Sequence, residues 1–127
     1  MSTYSGGDQE TFLAGAAITR YQVVKVGAAD NTVIPAVDDA ASMLGVAMRP
    51  AASGAQVPVQ INRIVKCIAS AAVTRGTVVT GAAAGKIATY VDNAGVQDFY
   101  LGEALESAAA DGDVISVMMM PGTNTGA

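Results

Sequence analysis

The chain repeats itself, and no other feature constrains its fold as strongly. Ile18–Val24 (ITRYQVV) matches Val73–Val79 (VTRGTVV). The next run, TVIPAVDDA from Thr32, is echoed by KIATYVDNA from Lys86. LGVAM at Leu44 returns as LGEAL at Leu101, and SGAQVPVQI at Ser53 returns as DGDVISVMM at Asp111. Four blocks recur in one order, which signals two copies of one supersecondary unit. At 127 residues there is room for a single domain and not for two full ones. Each copy supplies about four strands and cannot cover its own apolar face. The expectation is therefore one all-β domain in which repeat 1 (about 18–61) and repeat 2 (about 73–119) close on one shared interior.

The runs are strand-like. Gln22–Val26, Thr32–Val37, Leu44–Met48, Gln56–Ile61, Arg63–Ile68, Thr77–Thr80, Lys86–Val91, Tyr100–Leu105 and Val114–Met119 are short and bounded by Gly, Ala, Asp, Asn, Ser and Pro. Val57, Val59 and Ile61 alternate strictly, as a strand with one buried face requires. Arg63–Ile68 falls between the repeats and reads as a bridging strand. Strands at this spacing predict a small barrel or sandwich, with the domain spanning residues 14–120. Residues 1–13 show neither helical nor strand period and read as an extended arm. Pro121–Ala127 reads as a tail.

Composition narrows what such a domain does. Apolar residues make up 51% of the chain, yet aromatics are 5% and Trp is absent. The core must be thin and built from Val and Ala. Charged residues are only 14%, against roughly 25% in an average soluble domain. The surface therefore carries many small neutral side chains, which suits a protein that lives in an assembly. Seven scattered basic residues against eleven acidic ones offer no nucleic-acid footprint. No apolar run reaches the roughly 20 residues of a membrane-spanning helix. The start, MSTYSGGDQE, does not resemble a secretory signal. With one cysteine, Cys67, no internal disulfide can form, and synthesis in a cytoplasm is the natural expectation.

Catalytic groups are scarce. Without histidine there is no imidazole metal ligand or base, and Cys67 has no partner in sequence that would activate it. Gly81–Lys86 (GAAAGK) has three residues between its glycines where a phosphate loop has four, and Ile87 follows where Ser or Thr would bind magnesium. It reads as a hairpin turn. Asp38, Asp39 and Asp92 occupy equivalent turns, where Asp is expected for its backbone hydrogen bonds. Neither an enzyme nor a cofactor or metal site is expected. Glu103 stands where repeat 1 has Val46, so if it faces inward it needs a cationic partner such as Arg20, Arg49 or Arg75, within the chain or across a subunit boundary. Among Met118–Met120, alternate members fill the core and an outward one can contact a neighbouring subunit. Arg49, Glu103 and Met119 are the candidate subunit-interface residues.

With ITRYQVVKVG, TVIPAVDDAASMLGVAM, QVPVQI and the second copy VTRGTVVTGAAAGKIATYV…FYLGEALESAAADGDVISVMM in view, the chain resembles the small capsid decoration (cement) proteins of tailed bacteriophages over about residues 14–120. The copies depart from one another at Tyr21, where the second has Gly76. The resemblance implies a β-barrel of the β-tulip or β-clip kind and a place on the outer surface of a phage head, in the virion. It implies that the protein binds the major capsid protein, often as a trimer, and stabilises contacts between its subunits. It also implies an N-terminal arm laid on the shell, here Ser2–Leu13, with Ser2, Thr3, Tyr4, Phe12 and Leu13 as contact residues. Two competing readings stand beside this one, the first sharing the composition and the second weakened by the scarcity of aromatic and charged residues. One is another virion structural protein, such as a tail or fibre component. The other is a β-clip module holding a ligand between its repeats.

Overall fold

Strand signals resolve into ten strands in a computed structural model that describes residues 9–91 and 97–124. In chain order they are β1 (Gln9–Ala14), β2 (Val23–Val26), β3 (Thr32–Pro35), β4 (Met43–Ala47) and β5 (Gln56–Gln60), then β6 (Ile64–Ile68), β7 (Val78–Gly81), β8 (Ile87–Thr89), β9 (Asp98–Ala104) and β10 (Val114–Asn124). The protein is all-β, a small barrel with a second sheet packed against it. The first five strands close a barrel in the order β1-β3-β2-β4-β5, and the last five form a sheet in the order β6-β10-β9-β7-β8.

These are the same order. β1 pairs antiparallel with β5 and parallel with β3. Likewise β6 pairs antiparallel with β10, while a parallel bridge, Ala69 to Ile87, joins its end to β8. The closing hydrogen bonds correspond too. Ala14 N donates to Ala55 O at 2.8 Å and Gly54 N to Ala14 O at 2.7 Å; Ala69 N donates to Asp113 O and Gly112 N to Ala69 O, both at 2.8 Å. Tyr21 (φ 71°) and Gly76 (φ 89°) share the left-handed conformation, and each donates its N–H at 2.8 Å to the matching carbonyl, Ala47 or Ala104. The turns therefore keep one shape although only glycine adopts it without strain.

Three boundaries differ from the sequence reading. Gln9–Ala14, expected to be free arm, is strand β1 of the chain's own barrel. Its residues are exposed except Phe12, which is half-buried, and Ala14, so they show no clean alternation to read. Ile64–Ile68 is not a bridge between repeats but the leading strand of the second half, the counterpart of β1. Pro121–Asn124, expected to be tail, continues β10 after a bulge and pairs with Asp98–Tyr100 of β9.

A single shared interior was the expectation, and the structure has two. Ala14, Ile18, Val24, Val33, Ala47, Val57 and Val59 fill the first barrel. Their counterparts Ala69, Val73, Val79, Ile87, Ala104, Ile115 and Val117 fill the second half. Five strands per half, not four, explain the difference, because the extra strand lets each unit enclose its own apolar side chains. The second cluster also takes in Val23, Ala36, Met43 and Val46, which project from the outside of the first barrel. Those four, 0–4% exposed, form the seam between the halves. Burying them stabilises the seam by about 1.5–3 kcal/mol for each large side chain.

Candidate functional site

Close approach at the seam explains the Gly81–Lys86 segment. Ala83–Gly85 makes one 3-10 turn between β7 and β8. Gly85 has φ +70°, and a Cβ there would lie 2.8 Å from Gln22 Cβ. Its N–H donates to Ala36 O at 2.8 Å, while Gln22 Nε2 donates to Ala84 O at 2.9 Å. Ala82 N and Lys86 N are bonded within the turn, and Lys86 Nζ lies 2.7 Å from Asp111 Oδ1. Three of the amides and the ammonium that a phosphate loop would present are thus engaged elsewhere. Phe99 N donates to Asp39 O at 3.0 Å and completes the seam.

Of the turn carboxylates singled out in the sequence, Asp38 makes the expected backbone hydrogen bond, whereas Asp39 contributes its backbone carbonyl to Phe99 N. Asp38 Oδ1 accepts from Ala40 N at 2.9 Å, and Asp113 Oδ2 from Ala109 N at 2.8 Å; Asp92 lies outside the described residues. Asp98 is 1% exposed, and Tyr90 Oη donates to its Oδ1 at 2.5 Å. Tyr90 in turn meets Tyr100 edge-on at 5.5 Å. Burial pushes the Cys67 thiol up to about 12, so it stays protonated and unreactive in the folded protein. Among the described residues no three His, Cys, Asp or Glu gather as a metal site would require. The hollow where the halves meet, lined by Met43, Phe99, Tyr100 and Gly122 among others, measures about 210 Å³. That is below the roughly 300–1,000 Å³ of a small-molecule site.

What remains is surface, and here the sequence-predicted residues separate. Ser2, Thr3 and Tyr4 lie outside the described residues. Phe12 packs half-buried against the first core, and Leu13 stays 41% exposed. Arg49 is exposed, and Glu103 is half-buried on the outside of β9. Among the described residues neither has an ion pair, so Glu103 is not matched to Arg20, Arg49 or Arg75 within the chain. Arg20 instead lies over the Tyr21 ring, 4.6 Å from its centre. Met119 is 6% exposed and belongs to the core, whereas Met118 and Met120 face outward at 37% and 47%. Met119 is therefore not the outward member of the trio. Ile64, 51% exposed, and Val78, 38% exposed, join that outer face. Their signal was present in the sequence, as apolar residues at alternating positions opposite the buried ones, but which alternation faced inward was not.

The architecture is two β-units with apolar side chains such as Ile64, Val78, Met118 and Met120 exposed on their outer faces. The sequence matches the family of phage cement proteins over residues 5–119, and the chain belongs to that family. It is a structural protein of a phage virion, and the family implies association with the capsid. Among solved structures it is similar to the N base of the head fiber gp8.5 of bacteriophage phi29. That likeness has a TM-score of 0.69 at 18% identity and covers 88% of this chain and 92% of the other; it shows a shared fold. No curated protein matches the chain.

Proposed function

We propose that the protein is a capsid decoration protein that binds the major capsid protein on the outer surface of the phage head and fastens neighbouring subunits together. The observation that carries this reading is the family match over nearly the whole described fold. A cement needs contact area and shape complementarity rather than placed acids, bases or metals, and small neutral side chains let surfaces approach closely.

The contact segment is reassigned in part. Phe12 and Leu13 belong to β1, so the segment that reaches the shell is residues 1–8, with Ser2, Thr3 and Tyr4 as its contacts. An extended segment can add a strand to a sheet edge of the capsid protein, with main-chain bonds supplying affinity and Tyr4 entering a pocket. Holding any bound segment in a single backbone conformation opposes binding by on the order of 1–2 kcal/mol per residue. Barrel contacts such as Arg49 must therefore act with it, and a trimer engaging three sites gains by effective concentration.

Co-sedimentation with expanded capsids lacking the protein tests this. The full chain is expected to pellet with them, and a chain beginning at Gln9 to stay folded but bind much more weakly. Equal binding would remove the arm from the account. No binding by either would remove the decoration role and leave a tail or fibre component as the better reading.

A further inference from the structure

The two halves treat one corner of the repeat differently. In the first half the Ile18–Ala51 bridge and the Val23–Val46 pair keep one register, which sets Arg20 opposite Arg49 between them. In the second half the Val73–Ala108 bridge and the Val78–Glu103 pair keep the matching register, which sets Arg75 opposite Glu106. The second half thus balances its charge at this corner. Glu106 also lies 3.6 Å from Lys66 and accepts from Ser116 N. The first half has arginine at both places. The counterparts of the paired Lys66 and Ser116 are Thr11 and Pro58, which are paired in the same way and carry no charge.

Like charges facing one another across neighbouring strands are destabilising. Arg20 and Arg49 are both exposed. Among the described residues neither has an ion pair, in a chain with eleven acidic residues. A second cost sits beside the first. Tyr21 holds φ 71° where the second half has Gly76 at 89°, and a left-handed tyrosine is strained as a glycine is not. The Tyr21 ring lies against the Arg20 guanidinium, with 4.6 Å between that group and the ring centre. Two features that weaken the free protein therefore meet at one exposed place, and strain of this kind gathers where a chain binds.

We infer that Arg20, Tyr21 and Arg49 form a cradle for an acidic protein segment on the capsid, whose carboxylates the two guanidiniums take. This rests on the reading of the chain as a decoration protein and names the chemistry of its partner at this corner. A guanidinium matches a carboxylate through parallel N–H donors, and the Tyr21 ring orients one of the two forks. An arriving carboxylate also screens the arginines from one another, so binding relieves a repulsion that the free protein carries. Nucleic acid is held instead by a stripe of cations, and seven scattered basic residues do not make one.

Co-sedimentation with expanded capsids lacking the protein, repeated across a salt series, tests the cradle. Arg20→Gln and Arg49→Gln are each expected to weaken binding on the order of 10-fold at low salt, with the difference shrinking as salt rises. Arg49→Glu, which restores the arrangement of the second half, is expected to weaken it further. Arg75→Gln is the control expected to bind like the wild type. Tyr21→Gly is expected to melt no lower than the wild type yet bind more weakly, a split that a purely structural role would not produce. Circular dichroism establishes that each variant is folded. Arg20→Gln and Arg49→Gln that bind like the wild type, or an Arg75→Gln that loses as much, overturn the cradle and leave the decoration role standing. A wild type that ignores capsids overturns the decoration role, and NMR titration of the full chain with a capped hexaglutamate peptide then decides the cradle. Saturable shifts at Arg20, Tyr21 and Arg49 that Arg49→Glu abolishes sustain it, and their absence overturns it. Single-stranded DNA that moves the same resonances at lower concentration than the peptide also overturns it, assigning the corner to phosphate.

Discussion

The two halves share a strand order and differ in what lies over the same row of β-sheet. In the first half Val46 and Val23 lie at the seam, 0% exposed; in the second, Glu103 and Val78 lie at the surface. The lesson is that a repeat keeps its interior and changes its outside. Interior pairs are conservative, such as Ile18 with Val73, Val33 with Ile87 and Val57 with Ile115. Outer positions diverge in chemistry, because each half faces a different neighbour.

The sharpest way to break this contrast is to exchange the two outer residues. Val46→Glu places an unpaired carboxylate in the seam and is expected to cost on the order of 3–5 kcal/mol, the scale for an uncompensated buried charge. Glu103→Val leaves monomer stability within about 0.5 kcal/mol, as surface changes do. Guanidinium unfolding measures both, and similar losses would mean the seam is not where the structure puts it.

The second test asks whether two interiors mean two independent folding units. Ile115→Ala is expected to cost about 2–5 kcal/mol, and Val57→Ala somewhat less. Because Val23, Ala36, Met43 and Val46 join the second cluster, damage in the first barrel should reach the second half. Cys67 reports this, since its thiol is buried and held protonated. Labelling of Cys67 should quicken in Val57→Ala as much as global stability falls. Unchanged labelling would show that the halves open separately.

A smaller difference concerns one turn. Asn31 (φ 59°) and Gly85 (φ 70°) fall at matching places before β3 and β8. Asn31→Gly is expected to be nearly neutral, since Asn tolerates this conformation in an exposed turn. Gly85→Asn should cost about 1–2 kcal/mol on the thermal scale for backbone strain, because any Cβ there meets Gln22. Equal effects would mean the approach of the halves is looser than described.

The smallest effect is electrostatic and belongs to one half alone. Glu106 Oε1 accepts from Ser116 N at 2.7 Å and lies 3.6 Å from Lys66 Nζ. Chiefly the Ser116 hydrogen bonds, then the Lys66 charge, hold its carboxyl below its ordinary 4.5. A carboxyl depressed on folding contributes stability above its unfolded value and loses it as pH falls through the folded one. The expected signature is a slight fall in melting temperature below about pH 4.5 that Glu106→Gln abolishes. The first half has Arg49 and Pro58 at these places, and proline has no N–H to donate. Arg49→Gln should therefore leave the acid limb unchanged.

Most strands were legible because alternating Val and Ile bounded by Gly, Asp and Ser allow little else. The nine runs read from sequence each hold an observed strand, mostly to within one or two residues. β1 escaped because Gln9, Glu10, Thr11 and Leu13 are exposed, so only Phe12 and Ala14 mark its inner face, too few for an alternation to read. What identifies it is its partner, since Ile64–Ile68, its counterpart, alternates clearly in Val65 and Cys67. Pro121–Asn124 escaped because Pro and Gly usually end a strand, whereas here a bulge carries β10 past them. On the surface, the sequence marked Glu103 and the methionine trio, but one-residue register decides which methionine is inside.

By itself the sequence determined that the chain is β, showed four blocks recurring in one order, and pointed to contact with other proteins. These follow from periodicity and from which functional groups exist, both of which are local properties. Only the tertiary structure decided that each part closes its own interior and that the leading strand belongs to it. It also decided that one outer face is sealed while its counterpart lies open. Those outcomes depend on pairings between residues tens of positions apart, and local pattern holds no record of them.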